Sequence, residues 1–110
     1  MVSLATKIDY DREDILHEII KMESRLQYIQ TNSNDQYNHY NVLKDAVEKM
    51  LEIVITDSWR NKLLTLKSYN MAIRGVIYDI FDNEMRNEDI LGDLLEYSKS
   101  IDSLIFHMIH

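Results

Sequence analysis

The chain has 110 residues, 45% of them hydrophobic and 28% charged, with a formal net charge of −7. That is room for one domain with a single modest core, and the apolar share argues against disorder. The absence of cysteine removes disulfides, thiolate metal sites and thiol catalysis, while the negative charge disfavours generic binding to nucleic acid or an anionic membrane.

Proline is absent, and Gly75 and Gly92 are the only glycines. Sheet proteins need turn residues at short intervals, so the punctuation here predicts long helices. Residues 1–10 read as a flexible N-terminal segment, turning acidic too soon to serve as a signal peptide. Helix one is expected over 11–30, starting after Asp9 or Asp11, with Ile15, Ile19, Met22, Leu26 and Ile29 spaced by alternating fours and threes. Asp11 is placed to cap it, with Glu13 and Asp14 in the first turn. The short polar side chains of TNSND, residues 31–35, mark a loop.

Helix two is expected over 36–56, with Tyr40, Leu43, Val47, Met50 and Val54 on its stripe. A β-branched run, Ile53 to Thr56, then meets Asp57 and Ser58, either of which can cap a new helix. Helix three is expected over 58–84, with Trp59, Leu63, Leu66, Asn70, Ile73, Ile77 and Ile80 in an unbroken four-three pattern. NEMRNED, residues 83–89, is the last turn, and Asn87 is placed to cap helix four, expected over 88–109. That helix carries Ile90, Leu94, Tyr97, Ile101, Leu104 and Met108, with Leu91, Leu95 and Ile105 broadening the face. The whole reads as one all-α domain, 1–110, an antiparallel bundle of three to four helices. SLIFHMIH, residues 103–110, falls far short of the roughly 20 apolar residues a membrane span needs, so a cytoplasmic protein is expected.

Residues 58–78 contain no acid, in a chain that is acidic almost everywhere else. With Leu63, Asn70 and Ile77 at heptad a, Trp59, Leu66, Ile73 and Ile80 fall at d, and Arg60, Lys67 and Arg74 form an electrostatic flank at e. Three readings of this flank compete. It complements an adjacent helix, because residues 79–110 are rich in Asp and Glu. It borders a seam between chains, where a polar a residue such as Asn70 sets register and partner number. Or it tracks phosphates, with Lys62, Tyr69 and Tyr78 nearby. The acidic C-terminal third also fits mimicry of nucleic acid, although a solvated face is the commoner meaning of such composition.

Chemistry is sparsely anchored. His107 and His110 form a helical i, i+3 pair with no acid nearby in sequence, and Asp89, Asp93 and Glu96 read as a solvated edge. DYDREDILHEII, residues 9–20, lacks the glycine and terminal Glu of a calcium loop. No phosphate-cradling glycine loop and no nucleophile–base pair is inferable, so no catalytic residue, metal or cofactor is expected. Tyr37 and Tyr40 are the tyrosines best placed for an exposed binding role, and Trp59 suits a plug at a bundle end.

The expectation is a non-enzymatic protein–protein interaction module, an inhibitor, adaptor or chaperone-like regulator, working by self-association or by docking on a protein partner. A homodimer is favoured. Its interface is expected at Trp59, Leu66, Asn70, Ile73, Leu94, Ile101, Leu104, Ile105 and Met108, because the last helix is apolar over more than one stripe. The alternatives are a nucleic-acid role, by phosphate contact or mimicry, and a small helical enzyme.

Overall fold

A computed structural model of the chain describes residues 10–30, 39–83 and 88–109. These form four helices: α1 (Tyr10–Gln30), α2 (His39–Val54), α3 (Leu63–Asn83) and α4 (Glu88–Ile109). A 3₁₀ turn, Trp59–Lys62, leads into α3. The helices pack in a ring, α1 against α2 and α4, and α3 against α2 and α4. Side-chain links give the directions. Arg12 reaches Val54, Arg25 reaches Asp93, and Asn70 reaches Ser98 and Asp102. Neighbouring helices are therefore antiparallel, and the starts of α1 and α3 share one end of the bundle with the ends of α2 and α4. The expected all-α antiparallel bundle is what forms, with four helices.

Why these segments are helical follows from the spacing of their apolar residues. Ile15, Ile19, Met22 and Leu26 of α1 are buried, as are Leu43, Val47, Met50 and Val54 of α2. From α3 and the turn before it come Trp59, Leu66, Ile73, Ile77 and Ile80. Burying each large apolar side chain is worth about 1.5–3 kcal/mol, so this shared core, rather than intrinsic propensity, holds the helices.

The break between α2 and α3 falls where the β-branched run predicts it. Helix α2 ends at Val54, two residues before the expected end at Thr56. The Thr56 hydroxyl donates to the Ile53 carbonyl at 2.7 Å, and the Arg12 Nε donates to the Val54 carbonyl at 2.7 Å. Carbonyls freed at a helix end need such donors, and a cation there also suits the helix dipole. Ser58 makes no side-chain cap. The chain instead tightens into the 3₁₀ turn, with Asn61 N bonded to the Ser58 carbonyl at 3.0 Å, before relaxing into α3. Asp11 is likewise not a cap: α1 begins at Tyr10, so Asp11 stands inside the first turn, where its carboxylate takes a bond from Arg60. Asp9, Tyr37, Asn87, His110 and the TNSND loop lie outside the described residues.

One helix is rotated relative to expectation. The predicted core row of α4 was Ile90, Leu94, Tyr97, Ile101, Leu104 and Met108. The row at the centre is instead Leu91, Leu94, Ser98, Ile101 and Ile105, all within 1% of full burial. Ile90, Tyr97, Leu104 and Met108 pack half-buried at its margins. The rotation places Ser98, a polar residue, at the middle of an apolar row, and Asn70 on α3 is the reason.

Candidate protein-binding face

Asn70 is fully buried, as is Ser98. The Asn70 side-chain amide donates to the Ser98 carbonyl at 2.8 Å and to Asp102 Oδ1 at 2.9 Å. Its oxygen accepts from the Ser98 hydroxyl at 2.9 Å. Arg74 closes the set: one nitrogen donates to Ser98 Oγ at 3.2 Å, and another meets Asp102 Oδ2 at 2.6 Å. Every polar atom of Asn70 is thus satisfied inside one chain, which is the condition for tolerating a buried amide. Because hydrogen bonds have narrow geometry, the network pins the register and rotation of α4 against α3.

This places the residues expected at a partner surface. Trp59, Leu66, Asn70, Ile73, Leu94, Ile101 and Ile105 belong to the chain's own core and present no free surface in this fold. Leu104 and Met108 are half-buried against that core. The physical reason is that a four-three stripe has the same form whether its partner is another helix of the same chain or a second chain, and here the chain covers itself. Tyr40 also packs half-buried on the core. Trp59 is a plug at the bundle end, with the Arg60 guanidinium stacked 4.6 Å from its ring centroid.

The basic flank divides. Arg60 bonds Asp11 of α1 at 3.1 Å, and Arg74 bonds Asp102 of α4, so complementarity within the chain accounts for both. Lys67 is exposed and lies beside Leu64. The acidic C-terminal third supplies Asp102, but the carboxylate for Arg60 comes from the first helix instead.

A further apolar row lies on the outer side of α3, away from the core stripe. Leu64, Met71 and Tyr78 stand seven residues apart and are 71%, 53% and 48% exposed. Between them are the exposed small residues Ser68, Ala72 and Gly75. Where the start of α3 runs beside the end of α4, Leu64 joins Ile105, Phe106 and Ile109 around an open groove of about 440 Å³, flanked by Lys67 and Asp102. Phe106 and Ile109 are 57% and 46% exposed. Of the surplus apolar residues in SLIFHMIH, it is these two that reach solvent, while Ile105 is buried. The seven-residue spacing of 64, 71 and 78 was present in the sequence, masked by the stronger stripe behind it.

Other surface features offer less chemistry. His17 shares a groove with Glu13, Asp14 and Glu18 of its own helix and Ser100 and Leu104 of α4. Among the described residues, no group of three or more His, Cys, Asp or Glu side chains is placed to hold a metal ion. No described helix is long and apolar enough to cross a membrane.

No family model, curated protein or solved structure matches this chain.

Proposed function

We propose that the chain is a non-enzymatic protein-binding bundle whose working surface is the α3–α4 edge. The observation that supports this is the run of large apolar side chains left outside a closed core: Leu64, Phe106 and Ile109 around one groove, and Met71 and Tyr78 continuing along α3. Single exposed apolar residues are ordinary, but a contiguous set beside charged neighbours is the usual composition of an interface. The interior polar groups bond one another, Asn70 with Ser98 and Asp102, rather than aiming into a cavity where a substrate would sit. Phosphate contact is the weaker reading, since Arg60 and Arg74 already meet carboxylates of the chain.

A photo-crosslinking amino acid placed at Phe106 or Met71 in the living host tests this. Adducts of defined protein mass are expected at both positions, lost when Leu64→Asp is added, and absent at Lys49, which is exposed on the second helix. Equal labelling at Lys49, or no adduct at Phe106 and Met71, would overturn the assignment.

A further inference from the structure

We infer that the partner on the outer face of α3 is a second copy of this chain, packed antiparallel across a two-fold axis at Met71; the inference rests on the protein-binding reading above. Three observations carry it. The first is symmetry. In an antiparallel pair centred on Met71, the two Met71 side chains meet, and Leu64 of each copy stands opposite Tyr78 of the other. A two-fold interface must be self-complementary, and a large apolar residue at each of these positions meets that condition. Ser68 and Gly75, on the same face, leave room for the helices to approach.

The second observation is charge. Two copies of a chain with net charge −7 repel, and their acids are spread over most of the sequence. Residues 58–78 hold none, so over most of its length α3 itself sets no carboxylate against a second copy. The third is polarity along that helix. Lys67, exposed, lies in its first half, and Asp79 and Asp82 lie near its end. An antiparallel copy brings Asp79 level with residue 63, about one turn from Lys67. A parallel copy would set like against like. In the antiparallel arrangement Tyr78 of one copy also arrives at the mouth of the groove formed by Leu64, Phe106 and Ile109 of the other.

The natural absence of cysteine makes the register directly measurable. Met71→Cys is expected to form a disulfide-linked dimer under mild oxidation, at least tenfold faster than Lys49→Cys. Leu64→Cys mixed with Tyr78→Cys is expected to give the heterodimer in preference to either homodimer. Light scattering on the unmodified chain should show a dimer at about 100 μM, and Met71→Asp should be monomeric there with unchanged helical circular dichroism. A monomeric parent, or Met71→Cys no faster than Lys49→Cys, would overturn the self-interface. If the chain is monomeric while crosslinks from Phe106 in the host capture a different protein, the protein-binding reading stands and the homodimer falls. If neither is seen, both fall.

Discussion

Replacing Asn70 tests the claim that a buried polar network, and not apolar contact alone, sets the rotation of α4. Asn70→Ala removes three bonds of 2.8, 2.9 and 2.9 Å to Ser98 and Asp102. At a net ~0.5–1.5 kcal/mol for each, the loss is about 2–4 kcal/mol. It stays within that range because Arg74 continues to serve both Ser98 Oγ and Asp102, so neither is left wholly unbonded. For a domain of this size each kcal/mol shifts Tm by ~4–8 °C, so a fall of roughly 8–32 °C is expected. Urea unfolding followed at 222 nm, at a concentration too low for self-association, supplies the free energies. Ser98→Ala and the double variant complete a cycle, whose coupling should exceed ~1 kcal/mol because the two side chains bond each other directly. Asn70→Leu with Ser98→Ala should recover most of the loss, since replacing both partners by apolar groups removes the unmet donors along with the bonds. A cost below ~0.5 kcal/mol for Asn70→Ala, or additivity of the two single changes, would refute the reasoning.

Other outcomes follow from the same packing. Trp59→Ala should cost about 3–5 kcal/mol in urea unfolding, because the plug is buried and its removal opens the bundle end. Gly92→Ala should stabilise by ~0.5–1 kcal/mol, as Gly92 lies exposed inside α4 and a methyl group there meets nothing within 4 Å. The two arginines of the flank should differ. Asp11→Asn should cost under ~1 kcal/mol, since both members of the Arg60–Asp11 pair are about half exposed and well screened. Arg74→Met should cost about 1–3 kcal/mol, because it strips a charged donor from the less exposed Asp102 and from Ser98 together. Equal effects for the two pairs would show that burial of the Asn70 network adds nothing.

The fold class and most of the inward-facing residues were legible in the linear pattern. Ile15, Ile19 and Met22, or Leu66, Ile73 and Ile77, recur at the period of one helix face, and a helix with an apolar face must bury it. The break after α2 was legible too, because the run from Ile53 to Thr56 is a poor helix interior and Asp57 and Ser58 favour turns. These are local properties, decided within a few residues of chain.

Three matters were decided only by the assembled structure. Which part of the broad α4 face turns inward depends on Ser98 meeting Asn70, 28 residues away, and no local pattern encodes that meeting. Whether the α3 seam serves a second chain or the chain itself depends on how many other stripes are available to cover it, and α1, α2 and α4 together suffice. With that seam closed, the face left to solvent became the opposite one, where Leu64, Met71 and Tyr78 lie. A sequence determines where its apolar side chains sit around each helix because periodicity is a property of one helix. It does not show which stripe remains uncovered, because coverage is a property of all four helices at once.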